Sequence, residues 1–270
     1  MELRFITWNL KGGDPRQLEL LEALVTDKCV VALQEVSPSF VEPLHRWEHL
    51  DWMRCAFELR PPRKYDGKNR ELATVVGATG GMHPIGMELV PDTLLPERTL
   101  AVTVQSPAGP FVACSFHALA GTSFRTGKIL MFRALTRWLE AQTLPVVFGV
   151  DRNAPKTDHP DDSQIEWYWP GDTREPLIFG TGAPHGCKDA YRQLLAANPA
   201  QLDEIRRARP YGPLATTYER GESDDERTPC RYDAIYVSPH FEVGAMQHEY
   251  AAALEAGSDH GLVVADLRIG

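Results

Sequence analysis

Six short stretches of this chain set an ionisable or carboxamide side chain at the end of an apolar run: Thr7-Trp8-Asn9, Leu33-Gln34-Glu35, Ser115-Phe116-His117, Asp151-Arg152-Asn153, Arg231-Tyr232-Asp233 and Ser258-Asp259-His260-Gly261. These residue types suit hydrolysis of a phosphate ester, which requires an activated water, neutralisation of the phosphoryl oxygens and help for the departing alkoxide. Each stretch alone is weak, because a Ser-Asp-His turn can cap an edge strand and Asp151-Arg152-Asn153 can be an Asx-turn ahead of Pro155. Six of them, each at the end of its own strand-like run, point to a sheet system that gathers them at one place.

Glu35 is the leading candidate for a metal ligand. A carboxylate directly after Cys29-Val30-Val31-Ala32-Leu33 is costly to leave unpaired near a core, and hard cations such as Mg²⁺ or Mn²⁺ take oxygen ligands; a helix N-terminal acid before Ser37-Pro38 is the alternative. Asn9 either orients Glu35 or a metal-bound water, or is a turn residue. Asp151 and Asn153 lie two apart and share a side of an extended chain, so one can act on water while the other donates a hydrogen bond to phosphate. Asp259 adds negative charge beside the metal. Arg63, Lys64, Tyr65, Lys68 and Asn69 form a local basic cluster with an aromatic inside it, a composition suited to phosphate-backbone contacts and equally found in ordinary surface loops.

The elements that must position these residues are legible from periodicity. Leu3, Phe5 and Thr7 alternate with Arg4, Ile6 and Trp8, which predicts a strand ending at Asn9. Asp14-Pro15 caps and opens a helix with Leu18, Leu21, Leu24 and Val25 on one face. Cys29–Leu33 reads as a strand buried on both faces, and Ser37-Pro38 opens the next helix. Strands follow near 72–78, 99–105 and 111–116. A helix from about Arg125 to Ala141 returns the chain to Val146-Val147-Phe148. Pro155 to Gly186 is rich in Pro, Gly, Asp and Trp and reads as an insertion of loops. Helices near 188–207 precede strands near 215–218, 232–238, 244–250 and 262–269. Two stacked sheets flanked by helices are the economical way to bury this set.

In this order, the six stretches resemble the endonuclease/exonuclease/phosphatase superfamily, the metal-dependent phosphoesterases that include deoxyribonuclease I, abasic-site endonucleases, sphingomyelinases and inositol-polyphosphate phosphatases. The resemblance runs from Asn9 to His260. It departs in one place: the family's Gly-Asp-aromatic-Asn is here Gly149-Val150-Asp151-Arg152-Asn153. The resemblance implies a four-layer α/β (α+β) sandwich of two mainly antiparallel sheets flanked by helices, with the site where the sheets splay apart. It implies that Asp151 orients or deprotonates the nucleophile, that Asn153 steadies the phosphoryl oxygens and that Asp233 and His260 form a carboxylate–imidazole pair. Ser115-Phe116-His117 before a long helix is similar to the deoxyribonuclease I branch. There a glutamate from an earlier strand supports the histidine, so Glu71 is expected either to pair with His117 in a second dyad that protonates the leaving group or binds phosphate, or to be an edge-strand glutamate in a salt bridge. Arg98 resembles the family's phosphate-contacting arginine, with a solvated surface arginine as the alternative.

The chain has 270 residues, and because the site needs both ends of it, a single catalytic domain over 1–270 is expected. With 28 Lys and Arg against 37 Asp and Glu, the net charge of −9 argues against a broad basic surface for nucleic acid, although a bound cation supplies positive charge locally. Five widely spaced cysteines fit buried thiols in a reducing compartment. No apolar run approaches a membrane span and no secretory signal opens the chain, so a cytoplasmic protein is expected. The expected function is a Mg²⁺-dependent phosphodiesterase, with Mn²⁺ as substitute, acting as an endonuclease on DNA and targeted by its loops or by a protein partner. The same chemistry on a phosphoinositide, sphingomyelin, RNA or a small nucleotide is the first alternative, and a nuclease fold kept as a binding module without turnover is the second.

Overall fold

The structure, a computed structural model, describes residues 1–62, 71–168, 174–221 and 227–270, without the side chains of 121–125 and 174. The basic cluster Arg63, Lys64, Tyr65, Lys68 and Asn69 lies outside the described residues.

Two six-stranded sheets carry the fold. At the centre of the first, β1 (Glu2–Gly12) and β2 (Cys29–Val36) pair in parallel. Outside β1 come β14 (Leu262–Ile269) and β13 (Phe241–Glu249), and outside β2 come β4 (Ala73–Ala78) and β3 (Trp52–Cys55), all antiparallel to their neighbours. The second sheet repeats the plan. Its parallel centre is β7 (Gly109–His117) and β8 (Val146–Asp151), flanked by β6 (Thr99–Ser106) and β5 (His83–Leu89) on one side and by β12 (Asp233–Val237) and β9 (Lys188–Asp189) on the other. A short ribbon, β10 (Tyr218–Arg220) with β11 (Thr228–Cys230), stands apart.

The sheets stack face to face, with Phe5, Leu100, Val102, Phe111, Ala113, Val147 and Ile235 in one continuous core. Helices α1 (Pro15–Leu24), α2 (Pro38–His45) and α7 (Tyr250–Glu255) bury Leu21, Phe40, Leu44 and Ala253 in that same core, beside the first sheet. Helices α3 (Gly121–Glu140) and α4 (Arg174–Phe179) cover the second sheet through Met131, Phe132, Leu135 and Ile178. The result is the expected four-layer sandwich, and it explains why β1 is buried on both faces from Phe5 to Leu10: helices lie behind it and a second sheet lies in front. Capping follows the sequence. Asp14 accepts from the Arg16 amide, Gln17 reaches back to the Asp14 amide, and Pro15 opens α1.

Several features depart from the sequence reading, among them helices α4, inside the segment read as loops, and α7, and strands β9 and β11. The edge strands β3 and β5 were not expected; β5 contains Pro84 and Gly86 and is largely exposed, so it carries no apolar run to betray it. The helical stretch at 188–207 is two helices, α5 (Ala190–Ala197) and α6 (Pro199–Ala208), because Pro199 cannot continue the first and instead starts the second. The strand expected near 215–218 begins only at Tyr218. No helix among the described residues is long and apolar enough to cross a membrane, and all five cysteines are buried as free thiols.

Candidate active site

The topology brings the six stretches together at one end of the sandwich. Asn9 and Glu35 lie near the ends of the parallel strands β1 and β2, and His117 and Asp151 are the last residues of β7 and β8. Antiparallel neighbours begin where those strands finish: β12 starts at Asp233, in register opposite Asp151, and β14 starts two residues after His260.

The close approach of the sheets below this site rests on polar residues inside apolar runs. Gln34 donates to Thr7 Oγ1 at 3.0 Å and to Ser115 Oγ at 2.9 Å, and Ser115 donates to the Leu33 carbonyl at 2.7 Å, so both sheets are linked directly beneath the cleft. Gly149 makes room for the contact. A Cβ there would lie 2.3 Å from Thr7 Oγ1, which gives the glycine a role two residues before Asp151 despite the interposed Val150.

Asp151 is the hub. Its Oδ1 accepts from the Asn153 backbone amide at 2.9 Å, and its Oδ2 accepts from the Asn9 side chain at 3.0 Å and the Asn153 side chain at 3.3 Å. His117 Nε2 stands 3.4 Å from Oδ2 and His260 Nε2 3.9 Å from it. Burial, opposed by His260, raises the Asp151 pKa. Asn153 and Glu35 both adopt left-handed backbone conformations, φ 47° and 52°, which non-glycine residues seldom hold without a structural demand. At Glu35 the β2–β4 register shifts between Leu33 and Val36, and this irregularity turns the side chain out of the strand's own alternation.

His260 is gripped from all sides. Its Nδ1 lies 2.9 Å from Asp233 Oδ2, its carbonyl accepts from Trp8 Nε1 at 2.8 Å and its amide donates to Ser258 Oγ, which itself donates to the Asn9 carbonyl at 2.6 Å. Burial by itself would lower its pKa, but the carboxylates of Asp233 and Asp151 outweigh that and lift it to about 10. Thr217, fully buried, joins the two halves of this pair: its Oγ1 accepts from the Tyr232 and Asp233 amides, and its carbonyl accepts from Gly261. The Tyr218 ring lies 4.8 Å from that of His260 and stacks on Tyr232.

Several expectations need correction. Glu71 is exposed and precedes β4, and His117 is instead met by Arg98, Glu35 and Asp151. Arg98 is buried against His117, its Nη1 3.1 Å from Nδ1, so it is not a solvated surface arginine. Asn9 is hydrogen-bonded to Asp151 and not to Glu35. The Asn153 side-chain amide donates to the Ala118 carbonyl at 2.9 Å and lies 3.3 Å from Asp151 Oδ2, so it is placed against the carboxylate. Asp259 pairs with Lys11 at the rim, 3.0 Å away. The substituted Arg152 is buried in the body, where it donates to the Arg231 and Tyr232 carbonyls and the Tyr236 hydroxyl.

Sequence reasoning gave no role to Thr7, Gln34, Ser115, Thr217 or Tyr218. The signal available for the first three was a polar side chain inside an otherwise apolar run; for the last two there was none.

The donor set suits a divalent cation. Asp151, Asp233 and His260 present ligand atoms within 4.8 Å of one another, and Glu35 approaches the same place through His117. Burial and then Asp151 raise the Glu35 pKa, as expected where carboxylates crowd without enough compensating charge. A cavity of about 1010 Å³ lies away from this site, where β1 begins and β14 ends, around the Arg4–Asp266 pair.

No protein-family model and no curated protein matches the chain. Solved structures do. TDP2 from D. rerio, crystallised with a single-stranded DNA product, superimposes over 99% of both chains with a TM-score of 0.67 at 17% identity. An endonuclease/exonuclease/phosphatase protein from Beutenbergia cavernae matches 100% of this chain and 72% of its own, with TM-score 0.60 and 23% identity. The catalytic domain of human Nocturnin, with bound sulfate, matches 100% and 94%, with TM-score 0.62 and 16% identity. The chain therefore has the fold of the endonuclease/exonuclease/phosphatase superfamily.

Proposed function

We propose that this chain is a single catalytic domain over 1–270, a metal-dependent phosphodiesterase whose substrate is DNA. One observation carries the reading: Asp233, His260 and Asp151 stand in line, with Asn9 and Glu35 beside them, at the open end of a fold shared with TDP2, whose structure holds a DNA product. A cation of the Mg²⁺ or Mn²⁺ type, held by Glu35 with carboxylates of the buried group, would supply Lewis-acid stabilisation of charge on the phosphoryl group.

The chain's own residues do the rest. Asp233 fixes the His260 orientation and favours its charged form, leaving Nε2 directed toward Asp151 and the space where a water or phosphoryl oxygen sits. Asp151, its oxygens held by Asn9 and Asn153, orients the attacking water. His117 contributes as a neutral donor. The Arg98 guanidinium lies 3.1 Å from Nδ1 and 3.3 Å from Nε2, which disfavours a second proton on the ring, and Nε2 faces the carboxylates of Glu35 and Asp151. Of the two duties open to His117, we favour phosphate binding, because burial and Arg98 disfavour the charged imidazole.

The test is a panel of double-stranded, single-stranded and abasic DNA, RNA, inositol phosphates and bis(p-nitrophenyl) phosphate, run with Mg²⁺, with Mn²⁺ and with a chelator. Chelator-sensitive cleavage of DNA supports the reading. Turnover of RNA or a small phosphoester alone would move the substrate to the class that the net charge of −9 favours. Silence on every substrate with either metal would leave a binding module.

A further inference from the structure

Lys128 was not singled out by any sequence pattern, yet its ammonium group is among the most enclosed charges in the protein, on a side chain 2% exposed. It projects from the middle of α3 and lies 2.8 Å from the carbonyl oxygen of Asn153 and 3.0 Å from Glu175 Oε1, with the Phe132 and Tyr168 rings 5.4 and 5.9 Å away. Glu175 in turn accepts from the Tyr168 amide through its other oxygen, at 3.2 Å. A single lysine thus ties the α3 layer and the Pro155–Gly186 insertion to the one residue that follows Asp151 in a left-handed conformation.

An ion pair in this position is a poor stabiliser, because removing both charges from water costs about as much as their attraction returns, and well-packed apolar residues commonly do as well or better. What an apolar residue cannot do is donate to the Asn153 carbonyl. With φ at 47°, Asn153 directs its backbone amide to Asp151 Oδ1 and its side chain to Asp151 Oδ2 and the Ala118 carbonyl; released from Lys128, it is free to relax toward the right-handed region that a non-glycine residue prefers. We propose that Lys128 is a positioning residue: by holding the Asn153 carbonyl it fixes Asn153, and through it the Asp151 carboxylate, in the geometry that hydrolysis needs. The inference rests on the reading of Asp151 as part of a hydrolytic site.

The variant to make is Lys128→Met with Glu175→Gln, so that no buried carboxylate is left unpaired. Its thermal unfolding should match the wild type, while kcat for bis(p-nitrophenyl) phosphate falls by about 10- to 100-fold, the scale of a small misplacement of a reacting group, with KM little changed. Because the effect runs through Asn153, the same pair of changes introduced into Asn153→Ala should cost less than about twofold more, the mark of coupled residues in a double-mutant cycle. Independent losses that multiply, or a fully active double variant, would overturn the proposal. A second readout does not depend on turnover. The Asn153 side-chain amide, identified by the NMR signals lost in Asn153→Ala, should exchange with solvent about tenfold faster or more in the Lys128→Met/Glu175→Gln protein, as expected when a local hydrogen-bonded structure opens. If the wild type hydrolyses no phosphodiester, the functional reading fails by itself and this exchange rate still decides: unchanged exchange refutes the positioning role.

Discussion

The Arg98 guanidinium lies 3.1 Å from Nδ1 and 3.3 Å from Nε2 of His117, and Nε2 also faces Glu35 at 3.3 Å and Asp151 at 3.4 Å. Burial and then this arginine hold the imidazole well below its ordinary pKa, whereas His260, backed by Asp233, is driven the other way. The two histidines of the site are therefore not equivalent, and only one of them is built to carry a positive charge.

A leaving-group acid would matter for a deoxyribose alkoxide and hardly at all for p-nitrophenolate, which departs without a proton. With His117 acting as a neutral donor, His117→Ala should lower cleavage of DNA and of a nitrophenyl diester by similar factors, on the order of 10²-fold. The ratio of the two activities is the measurement. A variant that loses DNA cleavage but keeps the nitrophenyl activity would restore the leaving-group role. His260→Ala should fail on both substrates.

Glu35 sits at the end of β2, partly exposed and held by no cation within hydrogen-bonding distance that the structure describes. Glu35→Gln should fold normally and lose at least ~10²-fold in rate, the scale of one major electrostatic stabiliser. Measured across a Mg²⁺ titration, turnover that recovers to near the wild-type rate at saturation would remove Glu35 from the metal site.

Gly149 packs against Thr7 of the facing sheet, with 2.3 Å between an added Cβ and Thr7 Oγ1, so Gly149→Ala must push the two sheets apart or distort β8. Overpacking of this kind costs roughly 1–3 kcal/mol. The expected result is a lower denaturation midpoint together with reduced activity, since β8 delivers Asp151 two residues later. An unchanged midpoint would show that the sheets tolerate the added methyl.

Among the described residues, His248 Nε2 is enclosed without a hydrogen-bond partner. Its ring packs on Tyr191, with Arg231, Asp189, Asp158 and Arg209 nearby, and burial followed by Arg231 lowers its pKa to about 3. A folded-state value below the unfolded one means that the unfolded chain takes up the proton first. This contribution to stability is complete above about pH 6.5 and is lost as the pH falls toward about 3, at no more than ~1.4 kcal/mol per unit. Denaturant unfolding of wild type and His248→Phe across that interval should show a shallower acid loss in the variant; parallel curves would rule the histidine out.

The basic cluster can be tested directly. Replacing Lys64 and Lys68 by alanine should weaken DNA binding and flatten its salt dependence while leaving hydrolysis of a small diester nearly unchanged, because each lost phosphate contact removes about one released counterion. An unchanged salt slope would place the loop away from DNA.

The amino-acid sequence by itself determined the sandwich and the six stretches of the site. Period-two alternation, continuous apolar runs and Asp14-Pro15 or Ser37-Pro38 caps are local signals, and the residues ending those runs keep their places whatever the packing. The pairing of His260 with Asp233 came only from the family resemblance, and the structure joins the two at 2.9 Å across 27 residues. The tertiary structure decided the partners. Asn9 reaches Asp151 across 142 residues, Arg98 displaces Glu71 beside His117, and Thr217 and Lys128 enter from segments with no motif. A hydrogen bond between distant strands depends on register, bulges and the angle at which two sheets meet, and none of these is written in the spacing of residues along one strand.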